Sequence, residues 1–380
     1  MDDTLYWIFL SILSSPSKLG LYERVHLPPK EICNTLDIDS LTVPEYIAAS
    51  YGCEPWSAAS EIYQTCKKKN FKIITFSDKN YPLLLKEIHK PPLVLYLQGA
   101  NLQVPMVSIV GTRNSDKVSE SIAFKIAYGV AKAGYGIVSG MAYGIDRFAH
   151  LGALKAEGVT VGVLPGGIDT TYPQRNRDLY HMISISQSSC LVSEYPPGIV
   201  AGQKWCFAQR NRIISGLSVA TIVVKAPLDS GAMMTARYAI EQNRELLVCP
   251  GNAFDKGYSG CLELIKEGAA LVSDFDDIME ILKSYSNSSG DSCSFDSVTA
   301  KETVCAESEN GDFLNSVDLS KYSKVEGLIL SHLSKGDFDI DDFIRSFSLG
   351  TDEVTRAIVS LEIEGIILRK GNRIFRKKSF

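Results

Sequence analysis

The sequence predicts an α/β protein built on a doubly wound parallel sheet, with a small helical module before it and a small winged-helix domain after it. Three observations carry this. Short apolar runs of strand length alternate with helical stretches from Phe71 to Cys249; such alternation marks a parallel sheet covered on both faces. Three runs end in a glycine or polar turn: Met106–Val110 in Gly111-Thr112-Arg113-Asn114, Gly136–Val138 in Ser139–Asp146, and Val159–Leu164 in Pro165-Gly166-Gly167-Ile168-Asp169. Turns at the same end of successive strands form the carboxyl edge, where open α/β sheets bind ligands. Finally, 380 residues exceed one ordinary core, so two or three domains are expected.

Taken in order, residues 1–69 read as a helical module. Leu5–Leu10 starts one helix, Pro28-Pro29 breaks the chain, and Val43–Ser50 and Trp56–Lys69 suggest two more. Lys67, Lys68 and Lys69 read as a solvated helix end. The core spans 70–283. It opens with strand Phe71–Thr75, short helix Tyr81–Ile88 and strand Leu93–Leu97. After Met106–Val110 come an amphipathic run Ser121–Ala133, the next two strands, and strands Ser189–Ser193, Val219–Val224 and Glu245–Cys249. Helix Gly231–Gln242 lies between the last two, and a final helix runs from about Asp274 to Lys283. Residues 284–320 are rich in Ser, Asn, Asp, Glu and Gly without a period, as in a flexible acidic linker. In 321–380, helices Val325–Leu333, Ile340–Phe347 and Thr351–Glu364 precede a hairpin, Ile366–Leu368 and Arg373–Phe375, turning at Lys370-Gly371-Asn372. That is the pattern of a winged helix-turn-helix. Its hairpin carries Arg369, Lys370, Arg373, Arg376, Lys377 and Lys378 without an acid.

Hydrophobic content of 45% with 22% charged residues is that of a soluble globular protein. A net charge of −5 excludes a whole-chain basic footprint, so any nucleic-acid surface must be local. The nine cysteines form no CxxC pair and none has zinc-ligand spacing with a histidine, which fits thiols in a reducing cytoplasm. Tyr6–Leu13 is short, with acids before it, and reads as a core helix rather than a leader or span. No membrane partner, cofactor or metal is expected.

Several segments could carry chemistry. Gly111-Thr112-Arg113-Asn114 lacks GxGxxG spacing but leads into a helix, and Arg113 adds a fork for phosphate. The alternative is a βα turn with a solvent-facing Arg. Ser139–Asp146 supplies glycines, Gly140 among them, where backbone can approach a ligand. Asp146 and His150 are spaced i, i+4 and could face each other for acid–base work; a structural hydrogen bond is the commoner reason for such a pair. Pro165-Gly166-Gly167 resembles a turn of nucleotide N-glycosidases, but no Glu follows at their spacing. Lys204-Trp205-Cys206-Phe207-Ala208-Gln209-Arg210-Asn211-Arg212 mixes cations and rings, as single-stranded nucleic acid requires, although a helix start with core aromatics has the same composition. Asp229-Ser230-Gly231 can cap the helix that follows, or hold a phosphate on its free N–H groups.

Together these segments resemble the bacterial DNA-processing protein A (DprA/Smf) family. The likeness runs from Phe71 to Lys283 through IITFSDKNYP, PPLVLYLQG, SIVGTR, SGMAYGIDRFAH, LPGGIDTTYPQRN, SEYPPG, FAQRNRIISGLS, SGAMMTA, PGN and GCLELIKEGA. It implies an extended Rossmann-like core that binds single-stranded DNA without being an enzyme. It further implies loading of the recombinase RecA during natural transformation or recombination, and a homodimer. The N-terminal helices match the family's small SAM-like module loosely. By position, the DNA pocket would use Gly111, Arg113, Gly140, Arg175, Lys204, Phe207, Arg210, Arg212 and Lys266. Lys225 stands where the family usually has Glu, and Leu262 where Asn is common. A nucleotide hydrolase on a related sheet is the rival reading. A regulator acting through the winged helix would instead prefer duplex DNA.

Overall fold

The computed structural model describes residues 2–14, 20–36, 41–100, 102, 104–201, 204–288, 324–333, 338–347 and 350, with positions 354, 357, 358, 361, 367–370 and 373–376. The chain divides into two compact units, Met1–Ser289 and Gly290–Phe380.

The first unit begins with helices α1 (Asp3–Ser11), α2 (Pro29–Asn34), α3 (Glu45–Tyr51) and α4 (Pro55–Lys69). The alternating part then runs β1 (Lys72–Thr75), α5 (Leu83–Lys86), β2 (Val94–Gly99), β3 (Met106–Val110), α6 (Lys117–Lys132), β4 (Gly136–Ser139) and α7 (Ile145–Lys155). It continues with β5 (Thr160–Val163), α8 (Arg177–Ile185), β6 (Cys190–Ser193), α9 (Lys204–Gly216), β7 (Ala220–Val223) and α10 (Gly231–Glu241). β8 (Glu245–Val248), α11 (Ser259–Lys266), β9 (Ala270–Leu271) and α12 (Phe275–Ser288) complete it. The sheet order is β1-β2-β6-β5-β4-β3-β7-β8-β9.

From β6 to β9 every neighbouring pair is parallel. β1 and β2 depart from the parallel expectation: β2 runs antiparallel to both β1 and β6. The connection between β1 and β2 holds only the four-residue α5, too little for a covering crossover helix. The parallel strands are covered on both faces, as their apolar runs require. Val107 and Ile109 pack with Ala123 and Val130 of α6 on one face. Met106 and Val110 face the other, with Ile213 of α9 and Ala236 of α10. Trp7, Phe9 and Ile62 of the leading helices share an apolar cluster with Tyr96 of β2, Leu191 of β6 and Ile183 of α8.

Two helix starts differ from the sequence reading. Pro29 opens α2 rather than breaking the chain, because the first helical position needs no N–H donor. α6 begins at Lys117, four residues before the apolar run, since Asp116 and Ser119 form a capping box. At the other end of the unit α12 extends past Lys283 to Ser288. Among the described residues no helix is long and apolar enough to cross a membrane.

The second unit contains helices Lys324–Leu333 and Ile340–Phe347 and a three-stranded sheet of Phe338–Asp339, Arg373–Arg376 and Ile367–Lys370, with Arg373–Arg376 in the middle. Val354, Ala357, Ile358 and Leu361 are helical and buried at the spacing of one helix face, against Ile329, Phe343 and Ile374. This is the winged-helix pattern. Most of the 284–320 segment, together with Lys377 and Lys378, lies outside the described residues.

Candidate nucleic-acid interface

From β3 the chain winds outward through β4, β5 and β6 on one side, then returns to add β7, β8 and β9 on the other. The connections leaving β3 and β7 therefore diverge, opening a crevice at their carboxyl ends. A cleft of about 560 Å³ occupies this point. Its walls are Gly111–Asn114 after β3, Phe207, Arg210 and Asn211 of α9, and Asp229–Ala232 at the start of α10. A smaller hollow beside it, about 20 Å³, shares Arg113, Phe207 and Arg210 and adds Tyr143, Pro165 and Tyr172.

Two glycines make this packing possible. A Cβ on Gly111 would lie 2.5 Å from the Ile145 side chain, and one on Gly140 would lie 2.7 Å from the Arg210 guanidinium. Both positions need the smallest residue because a neighbouring side chain occupies the space.

Arg113 is exposed on the rim and, among the described residues, enters no ion pair. Its guanidinium carbon is 5.5 Å from the centroid of the Phe207 ring. Phe207 is half-buried, lies outside the apolar core clusters, and packs on Tyr172 with ring centroids 5.2 Å apart. Tyr172 is itself 40% exposed. The first residue of α9 is Lys204, three positions before Phe207; its side chain is outside the described atoms. The rim thus presents a cation and two aromatic faces, the elements that hold a strand by phosphate contact and base stacking.

Arg210 lies beneath this rim and is only 4% exposed. Its Nη1 donates to the carbonyls of Gly140 and Val163, both at 2.6 Å, and its Nε donates to Asn211 Oδ1 at 3.1 Å. Burial lowers its pKa to about 10, and the Asp146 carboxylate opposes that shift. Asp146 in turn accepts the backbone N–H groups of Gly140 (3.2 Å) and Ala142 (3.4 Å). Burial raises its carboxyl pKa against the pull of Arg210. His150 turns elsewhere, its Nδ1 2.7 Å from Thr160 Oγ1, which donates to Ile137 O. That bond fixes the proton on Nδ1. Burial first, then Arg210, pushes the imidazole pKa down to about 3, so it stays neutral. Asp146 and His150 therefore do not pair, and the acid–base reading of their spacing fails: each has a nearer structural partner.

The other expected residues are dispersed. Arg175 is exposed on the turn Gln174–Asn176, three residues after Tyr172. Arg212 faces away from the cleft and pairs with Glu194. Lys266 is exposed on α11, 3.7 Å from Glu263, and does not line the cleft. Sequence reading missed Tyr172 and Asn176. The buried Asn176 amide donates to the carbonyls of Met141 (2.8 Å) and Ala142 (3.0 Å), tying the turn after β5 to the turn after β4. The signal is present, since both residues lie in the LPGGIDTTYPQRN run, of which only Arg175 reads as a site residue from sequence.

Lys225 is 7% exposed and donates to Asp116 Oδ2 at 2.6 Å and Asp255 Oδ2 at 2.9 Å. These two acids accommodate the buried cation. Burial works against the charge, yet the two carboxylates hold the Lys225 pKa above its ordinary value. The Lys225 hydrogen bond, with that of the Ser119 backbone, lowers Asp116 to about 2. A depressed carboxylate contributes stability above its unfolded pKa and loses it as pH falls through the folded one. The parent should therefore lose this contribution between about pH 4 and pH 2. Lys225→Met should be less stable than the parent near pH 7, with the gap narrowing over that range. Urea unfolding at both ends checks it; an equal gap at both would remove the network from the account.

Residues 72–283 match the family described as DNA recombination-mediator protein A. The chain belongs to that family. DNA processing protein DprA of Bacillus subtilis is 39% identical over 220 residues, which is 57% of this chain and 73% of that protein. The X-ray structure of DNA processing protein A from Streptococcus pneumoniae superposes with a TM-score of 0.58 at 30% identity, covering 74% of this chain and 98% of that one. The Helicobacter pylori DNA processing protein A, whose structure is described in terms of its single-stranded DNA binding mode, gives a TM-score of 0.50 at 30% identity. That match covers 56% of this chain and 96% of the other. The family match spans β1 to α12 and thus contains the whole cleft.

Proposed function

We propose that this chain binds single-stranded DNA along the rim of the switch-point cleft, with Arg113 on a phosphate and Phe207 and Tyr172 stacking bases. The observation that carries the reading is the exposed Arg113 guanidinium set 5.5 Å from the Phe207 ring at the mouth of that cleft. Lys204 would add a second cation from the start of α9, and Arg175 a third along the strand's path. Gly111, Gly140 and Arg210 shape the floor beneath them. In this reading Arg212 and Lys266 lie outside the primary pocket. Binding at cytoplasmic salt, without catalysis, suits a mediator that passes the strand to RecA in recombination or transformation.

The hydrolase reading finds little support. The first acid after the Pro165-Gly166-Gly167 turn is Asp169, which accepts the Gly198 N–H at 2.6 Å and pairs with Lys69 at 2.5 Å. It is committed to holding loops together. A labelled oligonucleotide competed with unlabelled single-stranded and duplex DNA tests the assignment. Single strands should compete at least tenfold better. Preferential displacement by duplex would favour a regulator acting through the winged helix instead.

We also propose that the core forms a homodimer. α10 exposes Met234 (41%) and Ile240 (50%), whereas Met233, one residue away, is buried in the core. Sedimentation at micromolar concentration should give twice the 41.7 kDa chain mass; a strict monomer that retains full mediator activity would remove this element.

A further inference from the structure

The loop after β8, residues 249–258, displays a ring in solvent. Phe254 is 96% exposed, more than any other large apolar side chain among the described residues, and belongs to no core cluster. The loop itself is tightly bonded. The Phe254 N–H donates to Asn252 Oδ1 at 2.9 Å, and the Asp255 N–H to Asn252 O at 3.0 Å. The N–H groups of Gly257 and Tyr258 donate to Asp255 Oδ1 (2.8 Å) and Asp255 O (2.9 Å). Lys225 clamps the other carboxylate oxygen of Asp255, so the ring stands on a fixed base.

That base lies on the same sheet edge as the DNA rim. β3, β7 and β8 are parallel neighbours, so their carboxyl ends lie side by side. β8 is two strand positions from β3, roughly 10 Å at ordinary strand spacing. Lys225 ties three connections together. Its carbonyl accepts the N–H of Thr112, the residue before Arg113, at 2.7 Å. Its ammonium bonds Asp116 at the start of α6 and Asp255 after β8. A strand held by Arg113 and Phe207 therefore reaches Phe254 when it runs along this edge towards β8.

We propose that the bound strand continues from the Arg113–Phe207 rim across the carboxyl ends of β7 and β8 and stacks a base on Phe254. This rests on the reading of the rim as a single-strand site and adds a second stacking platform to it. A lone exposed ring offers stacking, which accepts any base. Charge contributes little here. Arg113, Lys117 and Lys256 are exposed cations. Against them, Lys225 carries one charge between two carboxylates, Asp229 is exposed at the start of α10, and Glu120 accepts from Ser115 Oγ at 2.7 Å. The chain neighbours Asn252, Asp255 and Lys256 are polar, so one base suits this ring better than a protein partner, which needs a contiguous apolar patch. Leu228 is 51% exposed where its N–H donates to Ser259 Oγ at 3.2 Å, so association between proteins is measured alongside.

The test follows the fluorescence anisotropy of labelled oligothymidylates of increasing length with the full chain and its variants. Phe254→Ala should bind strands long enough to span both rings about fivefold or more weaker than the parent, with the loss shrinking as the strand shortens. Its salt dependence should match the parent's, because no phosphate contact is lost. Phe254→Leu should behave as Phe254→Ala does, and Phe254→Trp should keep or exceed parental affinity. Phe207→Ala should weaken every length. Because the Phe254 ring is almost fully exposed, its three variants should melt with the parent. Parental binding by Phe254→Ala at every length, with Arg113→Glu weakened, overturns the continuation and leaves the rim reading standing. Parental binding by Arg113→Glu at every length overturns the rim reading and the continuation with it. Parental binding by Phe254→Leu overturns stacking. A changed sedimentation of Phe254→Ala with unchanged DNA affinity makes the ring a protein contact and overturns the proposal as well.

Discussion

Arg113→Glu should weaken single-strand binding by roughly a hundredfold at low salt. A hydrogen bond to a charged group contributes about 1.5–3 kcal/mol, and reversing the charge adds repulsion to the loss. Arg113 is exposed and, among the described residues, enters no ion pair, so its substitution breaks none of these and the melting temperature should hold. The salt dependence should also flatten, because each phosphate contact on a single strand contributes about 0.7 to the slope of log affinity against log salt. Phe207→Ala is the matched contrast. It should weaken binding through lost stacking, about 1–3 kcal/mol, and leave the slope unchanged. Phe207 is half-buried against Tyr172 and belongs to no core cluster, so it should melt close to the parent. Parental binding by Arg113→Glu would place the strand elsewhere.

Much of this cleft's geometry is legible in the sequence. The strand-and-turn rhythm around Val107–Gly111 and Gly136–Gly140 placed both turns on one edge, since parallel strands put their carboxyl ends together. Arg113 and Phe207 could be paired by that argument although they are far apart in sequence. What the rhythm could not supply is which face of α9 each cation occupies. Arg210 and Arg212 are two residues apart, about 200° around a helix, and end on different faces. A linear motif containing RNR shows three polar positions and no faces. The antiparallel β1 and β2 were also hidden, because strand direction depends on connection geometry and not on apolar content. Lys225 likewise looked like a mere departure. Its partners Asp116 and Asp255 come from distant segments that only the folded chain brings within hydrogen-bond reach.

Arg210→Met should destabilise the first unit by about 3–5 kcal/mol, since it leaves several buried acceptors unserved at about 1–3 kcal/mol each. For a unit of this size that lowers the melting temperature by roughly 10 °C. The side chain is 4% exposed and joins the carboxyl ends of β4 and β5 through Gly140 O and Val163 O. Methionine has similar volume but leaves both carbonyls and the Asn211 amide oxygen unserved. It also leaves the buried Asp146 carboxylate without its compensating cation. Burial already raises the Asp146 pKa, and losing Arg210 removes the opposing pull, so it should rise further. A carboxyl whose folded pKa is raised binds a proton more readily in the folded state. The cost of the substitution should then be greatest near neutral pH and shrink as pH falls through the raised folded pKa. Arg210→Lys should recover only part of the stability, because an ammonium cannot reproduce the planar set of donors spread over two carbonyls and an amide. DNA binding should fall in both variants through loss of the floor under Arg113 and Phe207, in step with thermal stability. An Arg210→Met protein that melts with the parent yet no longer binds DNA would make Arg210 a direct DNA contact rather than the post on which the rim rests.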